Sequence, residues 1–320
     1  MFQPEKGYGN AYIKGLKEAK GRFLVMADAD DTYNLEELDS LIKPLEDGYE
    51  MVIGSRFEGN ILPGAMTWSH RYIGNPILTA ILNRFFKTRI SDAHSGFRAI
   101  TMDAFNRLNL QTGGMEFASE MIVDALRKNL KIKEVPITYY PRKGESKLNS
   151  LPDAWRHIRF MLIYSPTNLF LVPGFFVFMA GFLGLFLSGR HNFTLFGHRF
   201  DVHAMVFSTL FCLGGFQVLN LGLFAKTFAM LEGYERRNSL LQKFYRAFNL
   251  EKGIVLGILL SLIGFIALIF IFYKWVNTGF GFLDETRLAL FSLIFVLVGI
   301  QIIFSSFFLS LLGIKKKSSA

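Results

Sequence analysis

Cysteine is almost missing from this chain: Cys212 is the single one in 320 residues. One thiol cannot form an internal disulfide or a thiolate metal cluster, so both are excluded. No cleavable leader is visible either, because the first long apolar run lies far from the N-terminus. No internal repeat stands out. Acidic residues are the minority, 26 against 35 Lys and Arg, for a net charge of +9. Charge of either sign is scarce in residues 168–314, which are mostly apolar. Residues 1–165 mix charged and apolar positions as a water-facing α/β domain does. Mean hydropathy is +0.30. With half the chain so apolar, the basic balance points to anionic lipid head groups and phosphate-bearing substrates rather than nucleic acid.

Four apolar segments are long enough to cross a hydrocarbon core of roughly 30 Å. They cover residues 168–188, 204–230, 253–275 and 288–314. Lys226 is the one charge well inside a segment and is expected near an interface. The link 232–252 carries five Lys or Arg and the C-terminus ends Lys315-Lys316-Lys317, whereas links 189–203 and 276–287 carry two and one. The positive-inside bias therefore places the N-terminal domain, the 232–252 link and the basic tail 315–320 in the cytoplasm. Between the halves, residues 152–166 carry Trp155, Ile158, Met161 and Leu162 at helical spacing among Arg156, His157 and Arg159. That pattern predicts an amphipathic helix over 151–167 lying on the membrane face, with packing on the soluble domain as the alternative.

In residues 1–150 strands alternate with helices. Helices are expected at 10–20, 35–45 with Asn34 as N-cap, 76–86 and 117–128. Strands are expected at 22–27, 50–54, 96–101 and 131–138. This order predicts an α/β, Rossmann-like sheet with helices on its faces. The most informative stretch is Leu24-Val25-Met26-Ala27-Asp28-Ala29-Asp30-Asp31, a short apolar strand ending in three carboxylates. Like charges this close repel one another unless a cation is present. Hard oxygen ligands suit Mg²⁺ or Mn²⁺, and Mg²⁺ suits a phosphate-bearing substrate. A solvated acidic turn is the alternative. An EF-hand is excluded, since Tyr33 stands where its sharp turn needs Gly.

Basic residues recur at element ends: Arg56, Arg71, Arg98, Arg142, Lys143 and Lys147. Converging on a carboxylate–metal site they would form a diphosphate clamp, because the Arg fork matches phosphate oxygens. The segment Pro141-Arg142-Lys143-Gly144-Glu145-Ser146-Lys147 suits this role best.

Together these residues resemble the polyprenyl-phosphate sugar synthases, the dolichyl-phosphate mannose synthase-like members of glycosyltransferase family 2. The resemblance runs from about Gly7 to Pro166. It rests on Lys6-Gly7-Tyr8-Gly9-Asn10, Asp28-Ala29-Asp30, Gly54-Ser55-Arg56, Arg71 before Gly74-Asn75, Ser95-Gly96-Phe97-Arg98, Glu116, Glu120 and Arg142 to Lys147. The resemblance implies a GT-A fold, N-terminally incomplete here, followed by a four-helix transmembrane region. It implies that Asp28 and Asp30 hold the metal, and that Arg56 and Arg71 contact diphosphate or acceptor phosphate. Arg142, Ser146 and Lys147 would hold the lipid phosphate, with Lys6, Gly7 and Arg98 also at the substrate. The implied reaction is transfer of one hexose from a nucleotide-diphosphate sugar to polyprenyl phosphate at the cytoplasmic face of the cell membrane, with inversion. A second copy of the chain is a further expected partner.

The chain departs from that family in three places. It starts after the family's first strand and acidic loop, Thr32 stands where Gln often follows the acidic motif, and His94 precedes Ser95-Gly96-Phe97-Arg98. His94 is expected either at a phosphate or metal or in a structural role. A processive polysaccharide synthase is disfavoured, because the membrane-surface helix lacks Gln-x-x-Arg-Trp. A non-catalytic scaffold or lipid-sugar translocation partner is the remaining alternative.

Overall fold

The computed structural model describes residues 3–144, 150–188, 194–195, 198–199, 201–231 and 249–313. The chain divides into two compact units at Ser165/Pro166.

The first unit runs α1 (Tyr8–Glu18), β1 (Phe23–Met26), α2 (Leu38–Glu46), β2 (Met51–Ile61), α3 (Asn75–Phe86), β3 (Arg98–Thr101), α4 (Met102–Arg107), α5 (Phe117–Arg127), β4 (Ile132–Tyr139) and α6 (Ser150–Ile163). The strands form one mixed sheet in the order β1-β3-β2-β4. β3 pairs antiparallel with β1 and β2, and β2 pairs parallel with β4. Alternation along each strand divides the core in two, because successive side chains point to opposite faces. Leu24, Met26, Met51, Ile53 and Ile100 pack with residues of α1, α3, α5 and α6 on one face. Val52, Phe97, Ala99, Val135 and Ile137 pack with Leu41 and Leu45 of α2 on the other. The sheet is therefore a middle layer between helices.

Sequence and structure differ in instructive places. β2 is 11 residues long, well beyond the expected 50–54. After Ser55 its register against β4 shifts and pairing resumes at Asn60↔Thr138. Asn34 does cap, accepting from Glu36 N at 3.0 Å, but the turn it caps is 3-10 and α2 starts at Leu38. α4, capped by Thr101, was not anticipated. A π-helical turn, His70–Gly74, leads into α3.

The amphipathic helix α6 belongs to the first unit. Phe160 and Met161 are buried in its core, with Ala154 and Ile158 packed against it. Leu151, Trp155 and Ile163 are exposed. The expected single apolar face thus splits, with Met161 and Ile158 turned to the core and Trp155 turned out.

The second unit holds α7 (Val172–Ser188), a small β5 (Thr194–Leu195) and β6 (His198–Arg199) hairpin, α8 (Val202–Leu231), α9 (Leu250–Asn277) and α10 (Thr286–Gly313). A π-helical turn, Thr167–Leu171, precedes α7. Four helices, 22, 30, 28 and 28 residues long, are apolar and long enough to cross a membrane. At 1.5 Å per residue even the shortest reaches about 33 Å. Small residues set the helix contacts. A Cβ on Gly181 would lie 2.2 Å from Cys212 N, and one on Gly299 would lie 2.5 Å from Gly257 O. Such close backbone approach is how helices gain packing contacts in lipid. Lys226 is buried, and its ammonium donates to the Thr167 hydroxyl. Thr167 opens the first span and Lys226 lies near the end of the second, so both stand at the same end of an antiparallel pair.

Candidate active site

The acidic turn follows β1 directly. Asp28 and Asp30 are half-buried, and Asp31 takes a left-handed backbone with φ +61°. An aspartate tolerates that conformation better than most side chains. The reversal folds Thr32 back on Asp30, whose Oδ1 accepts from Thr32 N at 3.2 Å and Thr32 Oγ1 at 2.6 Å. Asp28 is fixed from both sides. The Tyr12 hydroxyl donates to its Oδ1 at 2.8 Å, and a Cβ on Gly96 would lie 2.5 Å from its Oδ2. Only glycine fits at position 96. Tyr12 itself stacks on Phe117 of α5 at 5.8 Å. Burial and the Asp28 carboxylate both push the Tyr12 phenol far above its ordinary range, so it remains a proton donor.

The basic segment after β4 lies along this turn. Tyr33 bridges Tyr139, Tyr140 N donates to Thr32 O at 3.0 Å, and Lys143 N donates to Asp30 O at 3.1 Å. These main-chain bonds deliver two cations. Arg142 Nε reaches Asp30 Oδ2 at 2.8 Å, and Lys143 Nζ reaches Asp31 Oδ2 at 2.7 Å. More than 110 residues of sequence separate the two motifs, and backbone pairing brings them together.

The other expected arginines stand elsewhere. Arg56 is buried and held by Asp92, with Nε–Oδ2 at 2.7 Å and Nη2–Oδ1 at 2.8 Å, beneath the Tyr139 ring. Asp92 also accepts from Arg56 N. The paired carboxylate raises the Arg56 pKa despite burial. Arg98 is 1% exposed and donates to three carbonyls, Ser95 O, Ala118 O and Ala93 O, at 2.7–2.9 Å. Its guanidinium therefore braces the loop before β3 against α5 rather than facing solvent, a structural duty where a substrate contact was expected. Arg71 lies half-buried in the π-helical turn, over the neighbouring Tyr72 ring. Among the described residues no hydrogen bond or ion pair ties Arg71 to the acidic turn. Lys6 is exposed beside Gly7, whose φ is +145° and whose Cβ position would meet Gly113 O at 2.3 Å. Ser146 and Lys147 lie outside the described residues.

His94 sits over His157 of α6 with ring centroids 4.5 Å apart and planes at 88°. Both His94 nitrogens are buried without a hydrogen-bond partner. His157 Nδ1 is 2.8 Å from Ser119 Oγ. Burial lowers both histidines, His157 to about 4. The pair is neutral at physiological pH and joins the loop to α6.

Among the described residues no group of three or more His, Cys, Asp and Glu is placed to hold a metal. Asp28 and Asp30 supply two hard carboxylates, with Thr32 beside them. That set fits a cation that draws the rest of its shell from a diphosphate and water, as Mg²⁺ does. Tyr12, Tyr33 and Asp92 were not anticipated as supports of this site. The i, i+4 spacing of Tyr8 and Tyr12 on α1 was the available signal for Tyr12, whereas no local pattern marks the Arg56–Asp92 pair.

A carboxylate turn at a strand end, paired with a basic segment, is thus carried on an α/β unit, and the same chain holds four helices long and apolar enough to cross a membrane. Residues 1–108 match Glycosyl transferase family 2, and residues 223–313 match the Glycosyltransferase family 2 C-terminal transmembrane region. The chain is similar to the low-salt glycan biosynthesis hexosyltransferase Agl6 of Haloferax volcanii, 40% identical over 98% of this chain and 76% of the relative. It is also similar to the dolichol-phosphate mannosyltransferase of Pyrococcus furiosus, 31% identical over 48% of this chain and 44% of the relative. Among solved structures, glucosyl-3-phosphoglycerate synthase from Mycobacterium tuberculosis overlaps 49% of this chain and 55% of its own, at 18% identity and TM-score 0.39. The chain belongs to glycosyltransferase family 2 and is a membrane glycosyltransferase with a GT-A-like domain.

Proposed function

We propose that this enzyme transfers a single hexose from a nucleotide-diphosphate sugar to a polyprenyl phosphate at the cytoplasmic face of the cell membrane. The observation that carries this reading is the apposition of Arg142 and Asp30 at 2.8 Å. It sets an anion-binding cation beside the carboxylates suited to a metal–diphosphate. Two relatives, a hexosyltransferase and a dolichol-phosphate mannosyltransferase, favour the same substrate classes.

A phosphate monoester is largely ionised near neutral pH, since its second pKa is about 6. It is already a nucleophile, so the chain need not supply a general base. The acceptor oxygen bonds to the anomeric carbon while the bond to the diphosphate breaks, and the nucleoside diphosphate leaves with the electron pair. Attack from the opposite side inverts the configuration. The remaining task is to hold two anions together. Asp28 and Asp30 would hold Mg²⁺ or Mn²⁺, which neutralises the leaving diphosphate when bound. Tyr12 and Gly96 keep Asp28 in place. Arg142 and Lys143, with Ser146, Lys147, Arg71 and Lys6, would serve the phosphates. Arg56 acts through position, bracing Asp92 and Tyr139 behind the strap.

The test reconstitutes the full chain in vesicles containing polyprenyl phosphate. Nucleotide hexoses are screened with Mg²⁺ or Mn²⁺, and the lipid product is analysed. A lipid-phosphate hexose that forms with metal and not with chelator supports the reading. Label that appears only in free sugar, or in long polymer, contradicts it.

A further inference from the structure

The outer side of a helix in a water-facing domain is ordinarily polar. The entry to α3 breaks that rule. Trp68, Tyr72, Ile73 and Ile77 are all exposed, Trp68 by 67%. Outside this stretch and α6, the first unit exposes only two other large apolar side chains among the described residues. The Trp68 and Tyr72 rings lie against each other with centroids 5.8 Å apart. Ile73, Ile77, Ala80 and Arg84 follow at spacings of three and four and are all exposed, so they form one outward stripe. The inward side of α3 is already used, since Leu78 and Leu82 are buried in the core. An exposed apolar patch of this kind marks a protein partner or a membrane.

Charge and continuity select the membrane. From Gly59 to Ser91 the sequence holds no Asp or Glu, against Arg71, Arg84, Lys87 and Arg89. Arg84, Lys87 and Arg89 are exposed. Trp and Tyr suit the lipid–water boundary, with the ring body among acyl carbons and the polar edge wet. Cations beside them are drawn to anionic head groups. α3 and α6 pack side by side over one face of the sheet. Only residues 164–166 separate the end of α6 from the first apolar span at Thr167. We propose that the π-helical turn and the outer stripe of α3 lie in the surface of an anionic bilayer, as a second seat of the first unit beside α6. One helix on a surface leaves rotation about its own axis free, and a second contact removes that freedom.

The chain has three tryptophans, Trp68, Trp155 and Trp275. Trp155→Phe with Trp275→Phe leaves Trp68 as the sole emitter in the full chain. That variant is placed in nanodiscs of phosphatidylcholine and phosphatidylglycerol, with or without bromine on the acyl carbons nearest the head groups. Trp68 is expected to emit toward the blue and to lose most of its intensity to brominated lipid, with little loss to aqueous iodide. Bromine quenching is expected to weaken in discs of phosphatidylcholine alone, and in the mixed discs for Arg84→Glu with Lys87→Glu. A Tyr72→Trp probe, in a chain whose three native tryptophans are replaced by Phe, reads the adjacent turn independently and is expected to behave alike. Iodide quenching without bromine quenching at both probes overturns the proposal, because the face is then in water. Protection from both quenchers overturns it in favour of a protein cover. Bromine quenching that is equal in neutral and charged discs, and unchanged by the two charge reversals, overturns the choice of an anionic surface.

Discussion

Phe97, Phe117 and Ile100 of the first unit are 0% exposed, while Phe176, Ile266 and Phe304 of the second are 65–69% exposed. The same side chains face opposite ways because the surrounding medium differs. In water, burial of apolar area drives the fold. In lipid that drive is absent, and close packing of small residues replaces it. Polar groups follow the same division. The first unit buries charges in long-range networks such as Arg56–Asp92 and Arg98 with its three carbonyls. The second relies on seams such as Gly257–Gly299 and on hydroxyls returned to their own helix, as Ser292 Oγ to Leu288 O at 2.7 Å. Precision in the first unit is bought with charge; in the second it comes from the absence of side chains.

The sharpest way to break that contrast is to unpair a buried charge. Asp92→Ala leaves Arg56 without its partner and should destabilise the first unit by about 3–5 kcal/mol. Urea unfolding followed by Trp68 and Trp155 fluorescence measures it. Adding Arg56→Met should recover most of the loss. Next comes acid. His157 has a native pKa of about 4 against an ordinary 6.5, lowered first by burial and also by Arg98. The unfolded chain takes up that proton first as pH falls. Stability is therefore full above about pH 6.5 and declines toward pH 4, by about 3 kcal/mol for this group. Melting curves of wild type and His157→Phe across that range should differ in slope.

Gly299→Val tests the other half. Its side chain would enter the space of Ser261 Oγ, 2.3 Å from the Cβ position, and should loosen α9 from α10 at a cost of about 1–3 kcal/mol. Thermal unfolding of the detergent-solubilised chain, followed by Trp275, reads it. The smallest effect has the opposite sign. Gly15 in α1 has nothing within 4 Å of a Cβ. Gly15→Ala should stabilise the first unit by about 0.4–1 kcal/mol in the same urea assay.

Much of this was legible in sequence because it is local. The spans show as apolar runs, the strands as short apolar segments, and Asn34 as a cap. The acidic turn and the basic segment after β4 could each be read as motifs. Their pairing follows from Tyr33 opposite Tyr139, a contact across 106 residues with no local signal. For the same reason Arg56 and Arg98 read as clamp residues. A buried guanidinium and a substrate-binding one look alike until Asp92, or the carbonyls of Ala93 and Ala118, come into place. α6 was legible as a helix but not in how its apolar residues divide, since one face serves the core and the other leaves Trp155 exposed. The left-handed Asp31 was hidden because aspartate adopts it without glycine's warning.

The most direct test of the account is transfer of labelled hexose to polyprenyl phosphate by wild type and Asp30→Ala in the same vesicles, with circular dichroism confirming equal folding. The account predicts that Asp30→Ala loses at least about a thousandfold in rate, since both the metal–diphosphate contact and the anchor of Arg142 go with it. An Asp30→Ala chain that transfers hexose at the wild-type rate would contradict it.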